Sequence, residues 1–301
     1  MHETNNTIQF AQASLAHTYY YETDRGQIAP MDVSSALQDI GLTYERPLLF
    51  TTSDPDAFSH MVTARTPEKQ EVKVRVCFSE ASARQIYANV QHATDLGVRT
   101  PQALRHYGRL VILEFAEGEN LEAPTLEQVR QAGTLYAGMN EQLAGGTEST
   151  SERLGSLVGK ALAATSSVVP VSLSAKVKNA ITQHAPSQLL PVFDHQDIGL
   201  HNMLVGPDGD LILIDEEAFG VLPFGVTLDK ALNDQGAVGI CKTEAEQQQY
   251  LTAFPESLQE YYNDTQHYWR LVNTLRLAAR FVAIGNKGGD QKAAELLGAV
   301  A

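Results

Sequence analysis

Residues 195–205, HQDIGLHNMLV, hold His195, Asp197 and Asn202 within eight positions, just ahead of an apolar run. A further acid follows at Asp215, with Glu217 two residues on. Two carboxylates and an amide gathered at one strand end repel unless something neutralises them. A hard divalent cation is the simplest answer, because Mg2+ takes a few carboxylate or amide oxygens and completes its shell with water and phosphate. An acid left off the metal can then accept a proton from a hydroxyl nucleophile. Positioning, charge neutralisation and a base are what phosphoryl transfer requires.

Several elements must hold these groups in place. NMLVG (202–206) and DLILID (210–215) flank the turn residues Pro207-Asp208-Gly209, so the two runs pair antiparallel. A turn centred near 208 and 209 puts Asn202 opposite Asp215, with Asp197 on the loop leading in. Upstream, RPLLFTT (46–52), HMVTAR (60–65), EVKVRVCF (71–78) and RLVILEF (109–115) read as strands. Between the last two, Ile86, Val90, Ala93 and Leu96 recur at a helical period over 82–97, and Gly97 supplies the stop.

After AEGENLEAP (116–124) the texture turns helical. Thr125 with Gln128 forms a capping-box pattern, ahead of a stripe of Leu126, Val129, Tyr136, Met139 and Leu143. GGTESTSE (145–152) reads as a loop, 173–185 as a helix, and 267–285 as a core helix carrying Trp269 and Arg276. The expected class is α+β, with a sheet-rich lobe over 1–116 and a helical lobe over 117–301.

Composition narrows the partners. Of 301 residues, 22 are basic and 36 acidic, for a formal net charge of −14. That argues against nucleic acid or an anionic membrane as the main partner. The two cysteines, Cys77 and Cys241, draw neither a disulfide framework nor a metal spacing. No signal peptide or apolar span of bilayer length is visible, so a cytoplasmic protein, monomer or homodimer, is expected.

His195-x-Asp197-x-x-x-x-Asn202 followed by Ile214-Asp215-x-Glu217 resembles the signature of the aminoglycoside phosphotransferase and choline kinase superfamily, small-molecule relatives of the protein kinases. The resemblance implies a protein-kinase-like, two-lobed fold with ATP or GTP in the cleft between the lobes. It makes Asp197 the catalytic base and His195 a brace for the loop. Asn202 and Asp215 would hold Mg2+, with Glu217 behind them or near a second ion. Asp229 matches a further family aspartate, with a structural role.

For the nucleotide, Lys73 and Arg75 share one face of a strand, and one of them should reach the phosphates. Arg75 is favoured, with Lys73 close behind. A kinase helix supplies a glutamate partner for this cation; here Gln85 takes that register. The phosphate-covering loop falls in TTSDPDAFSH (51–60), which contains no glycine. Ser53, Ser59 and backbone amides are its candidate contacts, and Asp54 and Asp56 oppose them. Backbone groups of Glu114, Phe115 and Ala116 would hold the purine, which does not decide between ATP and GTP.

The acceptor pocket of such proteins lies in the helical lobe. Glu216, Glu217, Glu256, Glu260 and Asp264, with Tyr261, Tyr262, His267 and Trp269, suit a hydroxyl compound that bears an amine. Two rival readings exist: a non-catalytic nucleotide-binding protein, and a metallohydrolase with His195, Asp197 and His201 as zinc ligands.

Overall fold

The computed structural model describes residues 7–8, 31–48, 61–77, 79–140, 147–233, 239–284 and 288–300. Its first part opens with two short paired strands, β1 (Thr7–Ile8) and β2 (Met31–Asp32), and helix α1 (Val33–Asp39). Next come β3 (Thr43–Pro47), β4 (Met61–Arg65), β5 (Glu71–Val76), α2 (Glu80–Asp95), β6 (Ala103–Tyr107) and β7 (Leu110–Glu114). These strands form one antiparallel sheet in the order β3-β4-β5-β7-β6.

The second part runs β8 (Glu119–Asn120), α3 (Leu126–Met139), α4 (Thr147–Thr165), α5 (Val171–His184), β9 (Pro191–His195), β10 (Met203–Val205), β11 (Leu211–Leu213) and β12 (Phe219–Pro223). It ends with α6 (Val226–Asn233), α7 (Glu244–Leu251), α8 (Glu256–Ile284) and α9 (Gly289–Val300). An antiparallel sheet followed by helices is the expected α+β arrangement. Among the described residues, no helix is long and apolar enough to cross a membrane.

Local chemistry explains the main elements. Helix α2 starts earlier than its apolar period suggests, because the Ser79 hydroxyl accepts from the Ser82 amide at 3.0 Å. It ends at Gly97, whose φ of +79° suits a residue without a Cβ. Helix α3 has the foreseen capping box between Thr125 and Gln128, but Leu126 is 54% exposed and leaves the buried stripe. Strand β3 lies ahead of the expected run, and β6, which folds back onto β7, was not foreseen at all.

The sheet separates two apolar cores. On one face Val62, Val72, Val74, Val76 and Ile112 pack on Val33 and Leu37 of α1. On the other, Ala83, Ile86, Val90 and Ala93 of α2 join a much larger core that reaches Trp269 and Leu275 of α8. Helix α2 is therefore embedded in the same apolar mass as the helical part, and its Asn89 Nδ2 donates to Phe219 O on β12 at 2.7 Å.

Candidate active site

The site grows from two pairs of strands. In the first, β10 and β11 pair as Met203↔Leu213, Leu204↔Ile212 and Val205↔Leu211. The loop between them is closed by Gly206 N to Asp210 O (2.8 Å) and Gly209 N to Gly206 O (2.9 Å), with Gly209 at φ +86°. A three-residue loop ending in a left-handed glycine centres the hairpin on Asp208. The register is thus one residue off the sequence expectation. Asn202 faces Ile214, whose amide donates to Asn202 O at 2.9 Å, and Asp215 comes one residue after the paired positions.

Asp215 itself takes the left-handed conformation (φ 70°, ψ 58°). Aspartate tolerates this better than most residues, and it turns the chain into a single 3-10 turn, Glu216–Ala218. That turn leads into β12, which pairs with β9 so that His195 lies opposite Phe219 and Asp194 opposite Gly220. The segment carrying Asp215 and Glu217 is therefore clamped between the strand ending at His195 and the β10–β11 hairpin.

His195 reaches across to the segment that carries Asp215. It is fully buried, and its Nε2 lies 3.1 Å from both Ile214 O and Asp215 O. Burial lowers its pKa, against the raising influence of Asp215 and Asp197. A neutral ring with its proton on Nε2 serves both carbonyls, a tautomer assigned from the hydrogen bonds.

Asp197 sits on the loop that follows, with its side chain 40% exposed. Oδ2 accepts from His201 Nε2 at 3.1 Å and Oδ1 from the Lys230 ammonium of α6. Burial alone would raise this carboxyl, but His201 and Lys230 together outweigh it and hold the group well below the usual carboxylate range. Asn202 is nearly buried, and its Nδ2 donates to Asp197 O at 2.7 Å. That bond commits the amide nitrogen to the loop and leaves the amide oxygen for a cation.

A divalent cation fits these donors. Asp215 and Glu217 each keep 27% of the side chain exposed. Two carboxylates and an amide oxygen make the sparse, all-oxygen set that Mg2+ completes with water and phosphate. Among the described residues no group of three His, Cys, Asp or Glu could hold a metal. His195, His201 and Asp197 accordingly do not form a zinc site, and His195 Nε2 is engaged with backbone carbonyls.

The two cations of β5 reach this segment from the sheet. Lys73 Nζ donates to Glu216 Oε1 and Oε2 at 2.8 and 2.6 Å, with Glu216 fully buried. Burial pushes the Glu216 carboxyl up, and Lys73 overrides that and holds it down. Arg75 pairs with Glu217 and lies 3.6 Å from Asp215 Oδ1. Gln85 does not take part: it is exposed, and its Nε2 bonds to Asn89 Oδ1 at 2.8 Å. Glu80, the acid nearest that register, pairs with Arg84 on the surface at 2.7 Å.

The linker residues Glu114, Phe115 and Ala116 run from β7 toward β8, all three half-buried. Strand β8 then pairs with β10 through Leu204↔Asn120, which sets the linker beside the β10–β11 hairpin. Ser53 and Ser59 lie outside the described residues, as does the whole of 49–60.

The acids and aromatics expected to line one acceptor pocket are dispersed. Glu216 is sealed on Lys73. Tyr262 is buried and donates to Asp229 Oδ1 at 3.1 Å. Trp269 is fully buried, with its Nε1 donating to Thr265 at 3.0 Å. Its ring packs on Gly225 (φ +104°), where a Cβ would fall 2.2 Å from the indole nitrogen. Tyr261 bonds to Gln188 O at 3.0 Å. Asp229 fills the structural role expected of it: Asn233, Tyr262 and Asn273 all donate to its carboxylate, tying α6 to α8.

Sequence reasoning missed two groups that touch Asp197, namely Lys230 and His201 in this role. Lys230 lies next to Asp229, so a helical register for 226–233 aligned on the hairpin could have found it. It also missed Asp194, which is fully buried and accepts from Tyr136 at 2.8 Å, from Thr227, and from the His195 amide at 2.5 Å.

No family model and no curated protein matches the chain. Solved structures do. The choline kinase LicA from Streptococcus pneumoniae superposes with a TM-score of 0.60 at 14% identity, over 89% of this chain and 98% of that one. An ethanolamine kinase from Plasmodium vivax gives 0.57 at 9% identity, covering 89% and 85%. A putative fructosamine-3-kinase from Haemophilus somnus gives 0.56 at 11%, covering 89% and 96%. Likeness at such identities is a likeness of architecture, and the chain is built on the two-lobed, protein-kinase-like fold of these kinases.

Proposed function

We propose that the chain is a small-molecule kinase, moving the γ-phosphate of ATP or GTP to the hydroxyl of an amine-bearing acceptor such as an amino alcohol, amino sugar or aminoglycoside. The observation that carries this is the loop carboxylate of Asp197, held ionised by Lys230 and His201. It sits between a histidine that braces the backbone of Asp215 and an asparagine bonded to the loop itself. The choline and ethanolamine kinases that share the fold are named for amino alcohols. The net charge of −14 agrees with a cationic acceptor.

The residues divide the work as follows. Lobes 1–116 and 117–301 enclose the nucleotide, with the purine against backbone groups of 114–116. Asn202, Asp215 and Glu217 hold Mg2+, which when bound neutralises the phosphate oxygens. Asp197 orients the acceptor hydroxyl and takes its proton as the new P–O bond forms and the nucleoside diphosphate leaves. Being held so acidic, it serves more to aim the hydroxyl than to deprotonate it in advance.

The test is a Mg2+-dependent phosphate-transfer assay with ATP and GTP over choline, ethanolamine, aminoglycosides and neutral sugars. Transfer to an amine-bearing alcohol, abolished in Asp197→Asn, is the expected result. Transfer only to neutral sugars sinks the acceptor class. Nucleotide binding with no turnover over the panel would favour the non-catalytic reading, whose structural support is that Gln85 contacts neither Lys73 nor Arg75.

A further inference from the structure

The two cations of β5 stand two residues apart on one strand face, yet their partners differ in kind. Lys73 and Glu216 form a sealed pair: the lysine side chain is 11% exposed and the glutamate 0%. A buried carboxylate that lost its ammonium would be left as an uncompensated charge, so this pair stays closed. Arg75 is as buried, at 6%, but its partners Asp215 and Glu217 are each 27% exposed. Those are the carboxylates assigned above to the divalent cation. One guanidinium therefore faces two acids that solvent, and a metal ion, can reach.

We propose that Arg75 is the resident counter-ion of the metal site. It neutralises Asp215 and Glu217 until a divalent cation takes those carboxylates, and it then turns to the polyphosphate that arrives with the metal. The guanidinium fork suits both partners, since carboxylate and phosphate oxygens present matching geometry. Among the described residues Lys73 has no such second partner, so it acts as a fixed strut between the sheet and the turn 216–218. In a kinase helix a glutamate balances the phosphate-binding cation; here the charge balance comes from residues 215–217. Bare metal must compete with Arg75, whereas metal and polyphosphate together satisfy all the charges, so the two bind as a set.

The metal half of this proposal is independent of the phosphotransferase reading; only the polyphosphate half rests on it. Mn2+ binding to the full chain, followed by electron paramagnetic resonance without nucleotide, tests the first half. Removing a positive charge beside the acids in Arg75→Met should tighten Mn2+ by about tenfold, while the affinity for Mg–ATP falls by a similar factor or more. Arg75→Lys keeps the cation and loses the fork, so it should shift both affinities in the same directions by less. The paired change Lys73→Met with Glu216→Met should leave Mn2+ affinity within about twofold of the parent, because that pair is not exchanged.

Unchanged or weaker Mn2+ binding in Arg75→Met overturns the proposal, as does a metal response in the paired variant equal to that of Arg75→Met. Should Arg75→Met fail to fold, Arg75→Lys decides by the same signs. If the parent neither binds nucleotide nor turns it over while Arg75→Met still tightens Mn2+, the kinase reading falls and the counter-ion role stands.

Discussion

Asp194 lies in strand β9, one residue before its end, and Asp197 lies on the loop just beyond it, and their surroundings push them in opposite directions. Asp194 is completely buried, and its hydrogen-bond donors are Tyr136, Thr227 and the His195 amide, none of them charged. Burial lifts its carboxyl to about 7 despite those bonds. Asp197 is half-exposed and faces Lys230 and His201, whose influence exceeds its own desolvation and keeps it ionised. Desolvation acts on both carboxyls; the presence of cationic neighbours decides which way each goes. Of the two acids, only the one on the loop has the charge and the access needed to meet a substrate.

The sharpest test of that contrast is Asp197→Asn. It should lower kcat by about 10^2- to 10^4-fold with little change in melting temperature, measured by phosphate transfer alongside thermal denaturation. A large loss of stability with intact turnover would mean that Asp197, like Asp194, is a packing group.

Lys230→Met comes next. Taking the ammonium away from Asp197 should reduce kcat by roughly tenfold to a hundredfold, with the fold intact because the lysine side chain is still 20% exposed. An unaltered kcat would show that α6 contributes nothing to the loop acid.

The smallest effect concerns Asp194→Asn and is read as a pH slope. Because the folded-state carboxyl is raised to about 7, the native state keeps a proton that the unfolded chain has already released above its ordinary value near 4. The native state thus binds more protons between about pH 4 and 7, and stability falls as pH rises through that window. The asparagine variant lacks this slope. The parent's stability advantage over it should therefore be larger at pH 5 than at pH 8 in paired melting curves. A constant difference would place Asp194 with Asp197, ionised throughout.

The grouping of Asp197, Asn202 and His195 was legible because it depends on residue types at a short, fixed spacing. The hairpin turn was legible too, since Pro207, Asp208 and Gly209 are turn residues whatever surrounds them. Its register was not: a left-handed Gly209 adds one residue to the loop, and alternation of apolar residues alone does not report that. Long-range pairings were hidden for a different reason. Lys73 with Glu216, and Lys230 with Asp197, join residues 143 and 33 positions apart, and nothing local in either segment marks its partner. The acceptor set failed because exposed acids and buried aromatics alternate along α8, so residues close in sequence face opposite environments.

Helix α2 carries a mechanical consequence. Its apolar side is sunk in the larger core, while the strands β4 and β5 share the smaller one with α1. Any widening of the cleft that took α2 along with the sheet would tear open the main apolar mass of the protein. A glide of β6 and β7 over a stationary helix would shear the same mass, since Ala103, Val111 and Leu113 belong to it, whereas Val62 and Ala64 of β4 belong to the smaller core. Local melting should follow the same partition: the amides of β4 ought to exchange with solvent sooner than those of α2, although the two belong to one lobe by position in the chain.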